Sequence, residues 1–105
     1  MSDIWSIHST FATRDEAILV ARALIEARLA ACVNLHENVT SIYRWQGQVQ
    51  QETEVALVAK TSKKMLQKAM ETIKQLHSYE VPCIIATQHD GGYPPYLDWI
   101  KRETA

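Results

Sequence analysis

The stretch Ala31–Thr61, ACVNLHENVTSIYRWQGQVQQETEVALVAKT, holds two runs rich in β-branched and aromatic residues on either side of Gly47. Gly47 is the only glycine before Gly91, and a glycine between two such runs marks a hairpin. At about 3.3 Å per residue, a regular first arm from Ala31 to Gln46 would reach about 50 Å. A compact chain of 105 residues has a radius of gyration near ~13 Å. The ribbon must therefore bend, break or project past its own core. A projecting ribbon exposes backbone donors and apolar side chains that another chain can cover. The sequence points to assembly before it points to chemistry.

The flanking segments supply the rest of the fold. Upstream, Trp5, Ile7, Ser9 and Phe11 alternate with Ile4, Ser6 and His8, the period of a strand. Thr13 stands three residues before Glu16, a capping box. Ala17, Ala21, Leu24 and Ile25 then follow helical spacing, with no glycine or proline before Leu29. Downstream, Ser62 caps a second helix whose face is Leu66, Ala69, Met70, Ile73 and either Leu76 or His77. Val81–Thr87 is a short strand, held to an edge or a strand start by Pro82. Gly91-Gly92 breaks the chain, and Pro94-Pro95 opens a last amphipathic helix with Lys101 and Arg102 near its end. The order β-α-β-β-α-β plus a terminal helix is the split βαβ, ferredoxin-like pattern: an α+β domain with an antiparallel sheet over residues 1–105.

Composition narrows the functional classes. Hydrophobic residues make up 47% and charged residues 22%, ordinary for a globular chain. A formal net charge of -1 gives no general pull toward nucleic acid or anionic lipid. No apolar run approaches the roughly 18 residues needed to cross a bilayer, and the N-terminus lacks a basic start followed by an apolar segment, so the expected compartment is the cytoplasm. Cys32 and Cys83 both sit in apolar, strand-like runs and read first as buried reduced thiols, with a disulfide or a soft-metal ligand as the alternatives; neither a C-x-x-C nor a zinc spacing is present.

Specific residues then identify a family. Arg28-Leu-Ala-Ala-Cys-Val-Asn34, Ser41-Ile-Tyr-Arg-Trp45, Gly47, Glu54, Lys60-Thr61, His77-Ser-Tyr-Glu80 and Tyr96-Leu-Asp-Trp-Ile100 occur in order along the chain. Together they closely resemble the CutA divalent-cation tolerance family. The resemblance implies a stable homotrimer in which long hairpins close three sheets around an axis, and a link to copper and other divalent metals. It also implies an architecture similar to nitrogen-regulatory (PII-like) signalling trimers, which bind small ligands in clefts between subunits. The chain departs from the family pattern at Ser78, where a proline is usual, at Cys83, where a glutamate is common, and at Ala12, near a usual proline. A cysteine at 83 exchanges a hard oxygen donor for a soft sulfur one.

Within that frame His77 is the first candidate metal ligand, with Glu80 and Cys83 close in sequence; neutral imidazole suits Cu(II) or Zn(II). The competing reading has His77 finish the apolar face of its helix, with its ring bonding a terminal carbonyl of that helix or complementing the helix dipole. His8, His36 and His89 carry less weight. Tyr43 and Trp45 share one strand face with Ser41, while Glu54 and Lys60 share parity in the other arm. With Tyr79 they form either a ligand cleft or the anchors and polar contacts of a trimer interface. Two rivals with the same element order fall away. An RNA-binding module needs stacking aromatics in a glycine-bearing motif that is missing here. An acylphosphatase-like enzyme needs a glycine-bearing phosphate loop, whereas Ser9–Arg14 has no glycine. The expectation is a non-enzymatic protein.

Overall fold

Alternation along β1 (Ile4–Phe11) builds the middle of the sheet, in a computed structural model that describes residues 3–105; residues 1 and 2 of the expected domain lie outside the described residues. The remaining elements follow as α1 (Arg14–Glu26), β2 (Cys32–Trp45), β3 (Gln48–Ser62), α2 (Lys63–Leu76), β4 (Ile84–Gln88) and α3 (Pro94–Glu103). The strands form one sheet in the order β2-β3-β1-β4. Every neighbouring pair is antiparallel. This is the ferredoxin-like α+β arrangement expected from the element order.

Strand register sorts side chains between the two faces. Ile7 and Phe11 stand beside Ala59 and Val55, and with Leu57 they meet α1 and α2. Ala17, Val20, Ala21 and Leu24 of α1 and Ala69 and Ile73 of α2 complete that core. Phe11, Ile7, Leu24, Leu57 and Ile73 are fully buried, each contributing roughly 1.5–3 kcal/mol of transfer free energy. Val20 takes the inward place on α1 expected for Ile25, which is 41% exposed. At about 3.6 residues per turn Ile25 falls at the edge of the face centred on Ala17, Val20, Ala21 and Leu24; α1 then ends where Arg28 adopts φ 58 and the Leu29 and Ala30 amides both donate to the Leu24 carbonyl. That is a left-handed helix stop.

The opposite face carries Ile4, Ser6 and His8 beside Ser62, Lys60 and Val58. There α3 closes one corner: Ile100 is fully buried, and the Thr104 hydroxyl lies 2.9 Å from the Ser62 Oγ. Ser62 therefore sits at the N-cap of α2 without making the side-chain cap bond the sequence suggests.

The ribbon both breaks and projects. His36 pairs with Ala56 but Val39 with Glu54, so β2 holds one extra residue, and Asn38 in that bulge adopts φ 60. The last β1 pair is Phe11 with Val55. From Glu54 to Gln48 the ribbon pairs only with itself, a span of about 20 Å at 3.3 Å per residue. Trp45 pairs with Gln48, leaving a two-residue loop of Gln46 (φ 50) and Gly47 (φ 80). Two positive φ values in succession suit the right-handed twist of a hairpin. The principal extents of 44 × 26 × 22 Å record the overhang.

Candidate functional site

The site is assembled where α2 ends and the ribbon leaves the core. Helical periodicity brings residue 77 round to the inward face of α2, and His77, not Leu76, takes that place: its side chain is 0% exposed while Leu76 is 40% exposed. The His77 ring stacks on Phe11 at 4.3 Å and 15°. Its Nε2 lies 2.8 Å from the Thr10 carbonyl oxygen, and its Nδ1 accepts from the Tyr79 amide at 3.2 Å. A carbonyl can only accept and an amide N–H can only donate, so the proton sits on Nε2 and both ring nitrogens are engaged. The Nδ1 lone pair that a metal would need already serves the backbone.

The residues after His77 form a strap. Ser78 donates to Glu16 of α1 twice, from its amide to Oε1 at 2.9 Å and from its hydroxyl to Oε2 at 2.8 Å. Tyr79 lies tilted against His77 and donates its hydroxyl to Glu54 Oε2 at 2.8 Å. Glu54 is 6% exposed. Burial, then the hydrogen bond and charge of Glu54, push the Tyr79 phenol well above its ordinary range. Cross-strand pairing puts Glu52 opposite Ser41 and Glu54 opposite Val39. Tyr43 is raised as well, by lost hydration first and then by Glu52 and Glu54. Tyr43, Glu52, Glu54 and Tyr79 thus form one polar group at the ribbon stem.

The other expected site residues are distributed differently. Cys83 is exposed, not buried as its apolar context suggested: Pro82 delays β4 until Ile84, so residue 83 precedes the sheet. The partial loss of hydration its sulfur still suffers, then the Glu54 charge, raises the thiol and favours the protonated form. Glu80 is exposed on the strap. His77, Glu80 and Cys83 do not compose a metal centre within one chain, since among the described residues no group of three or more His, Cys, Asp or Glu side chains is gathered for a cation. Lys60 parts company with Glu54: it pairs with Cys32 in the sheet and donates to Asn34 Oδ1 at 2.9 Å. Trp45 sits at the ribbon tip, 41% exposed. His89 bonds Ser6 Oγ, and His36 is exposed in the bulged strand.

Glu16 and the Thr10 carbonyl belong to this site and escaped the sequence reading. The capping box concealed Glu16. Thr13 Oγ1 does accept from the Glu16 amide at 3.2 Å, but the Glu16 carboxylate turns to Ser78 across the fold. A tertiary partner 62 positions away leaves no local signal.

Fold and site together define an α+β, ferredoxin-like domain with an overhanging hairpin and a buried histidine under its stem. A family model described as CutA1 divalent ion tolerance protein matches residues 5–103, and the chain belongs to that family. The divalent-cation tolerance protein CutA of Thermus thermophilus is 44% identical over 95 residues, covering 90% of this chain and 92% of that one. The mouse protein CutA is 42% identical over 85 residues, 81% of this chain, and the match spans only 48% of the mouse chain. The crystal structure of CutA from Xylella fastidiosa superposes with a TM-score of 0.97 at 38% identity, covering 99% of this chain and 100% of that one.

Proposed function

We propose that this chain serves divalent-cation tolerance as a cytoplasmic homotrimer, binding the cation, with Cu(II) the first choice, and catalysing no reaction. The Thermus relative's name supports the metal role. The ribbon is the single observation that supports assembly. Beyond the core Ile42 is 66% and Val49 65% exposed, next to half-exposed Tyr43 and Trp45. Four large apolar groups on an unsupported hairpin favour a covering partner, and three copies would cover one another's ribbons around an axis. The free thiols of Cys32 and Cys83 suit a reducing compartment.

Among the sequence candidates His77 is committed to Thr10 and Tyr79, which leaves Glu80 and Cys83 as the outward donors. Neither suffices alone, so a full coordination sphere would draw donors from neighbouring copies. Calorimetric titration with copper(II) chloride, with Zn(II) as the redox-inert control, tests this. Micromolar binding is expected, weakened at least about tenfold by Cys83→Ser and little altered by His77→Ala. Wild-type affinity in Cys83→Ser would end the assignment of that thiol.

The cluster of Tyr43, Glu52, Glu54 and Tyr79 favours a second reading, a PII-like trimer that takes a small polar ligand at its subunit clefts. A thermal-shift screen of metals against metabolites on one sample separates the two, because only a true ligand raises the melting temperature by linkage.

A further inference from the structure

We propose that Glu16 is a positioning residue: it fixes the 77–80 strap and, through Tyr79, ties α1 to the stem of the β2–β3 ribbon. The chain of contacts is continuous. The Glu16 carboxylate takes both Ser78 donors, at 2.9 and 2.8 Å, and its side chain is 19% exposed. Ser78 is followed at once by Tyr79, whose amide bonds His77 Nδ1 and whose hydroxyl bonds Glu54. Glu54 is the first β3 residue beyond the reach of β1. It therefore occupies the point where the ribbon becomes self-supporting.

Two anchors of different chemistry hold the strap. His77 is clamped from inside by Phe11 and the Thr10 carbonyl. Glu16 grips from outside with a bidentate, charge-assisted pair of bonds, which are the stronger kind. The first anchor sets the position of the ring; the second sets the course of the backbone after it. Without the second, Ser78 returns to water and Tyr79 keeps only one backbone constraint. The phenol then loses its fixed approach to Glu54. Glu16 Oε1 lies 3.7 Å from His77 Nδ1, so the two anchors stand side by side, and with the ring proton on Nε2 the contact is one of proximity without an ion pair.

Amide hydrogen exchange, read on the folded protein, tests the proposal. In Glu16→Ala the Ser78 and Tyr79 amides should exchange at least about tenfold faster, as loss of a charge-assisted bond implies. Glu16→Gln keeps one acceptor oxygen for Ser78 and should fall between the two. If Glu16→Ala does not fold, Ser78→Ala removes only the hydroxyl bond and should give a smaller acceleration confined to residues 78 and 79. Exchange at those amides within about twofold of wild type in either variant would overturn the proposal. So would an acceleration spread evenly over the whole chain, because that reports only lower global stability. The readout is local, so it holds whatever the oligomeric state or the metal.

Discussion

Removing one oxygen atom should reveal what Glu54 depends on. Tyr79→Phe keeps the ring that tilts against His77 at 4.7 Å but deletes the donor that meets Glu54 at 2.8 Å. Glu54 is 6% exposed, so water replaces that donor poorly. A hydrogen bond with one charged partner contributes roughly 1.5–3 kcal/mol, and the half-buried position of Tyr79 argues for the lower end. The pH dependence follows from the phenol. Burial and Glu54 raise its folded pKa above the ordinary 10, so above about pH 10 the native state holds this proton more tightly than the unfolded chain. The stabilisation is complete below about pH 10 and is lost as pH rises toward the folded value. Urea unfolding of both proteins at one concentration, at pH 8 and near pH 11, reads this as a shift in midpoint at constant slope. The variant should be weaker by about 1.5 kcal/mol at pH 8, with the gap narrowing at the higher pH. Equal stabilities at pH 8, or a gap indifferent to pH, would refute the reasoning.

Other substitutions probe separate parts of the fold. Phe11→Ala empties a fully buried position and removes the platform under the His77 ring; a loss of about 3–5 kcal/mol is expected in denaturant unfolding. Gln46→Asn should stabilise the hairpin by about 0.5 kcal/mol, because asparagine tolerates the left-handed conformation that Gln46 adopts at φ 50. A fall in melting temperature for Gln46→Asn would contradict the turn geometry.

The fold was legible because its determinants are local. Period-two alternation in β1, helical spacing in α2 and a glycine between two β-rich arms each announce an element, and their order leaves one sheet topology to expect. The overhang was legible too, from length against core size. What stayed hidden depends on partners far apart in sequence. Residue 83 read as buried because Cys-Ile-Ile is apolar, yet Pro82 postpones the strand and leaves the thiol outside it. Glu54 and Lys60 share parity, but five residues of extended chain lie between them and each finds its own partner. For His77 the two readings, outward ligand and inward anchor, differ only in where the ring points. The Thr10 carbonyl decides that, and no periodicity reports it. Glu16 shows the same limit, since a helix-capping signature accounted for it locally.

Sedimentation equilibrium across micromolar dilution, run on the wild type and on Trp45→Ala, tests most directly whether the ribbon needs copies of its own chain. Three times the single-chain mass is expected for the wild type, with about 3 kcal/mol lost from association in Trp45→Ala. A folded wild-type monomer that persists throughout the range would contradict the account.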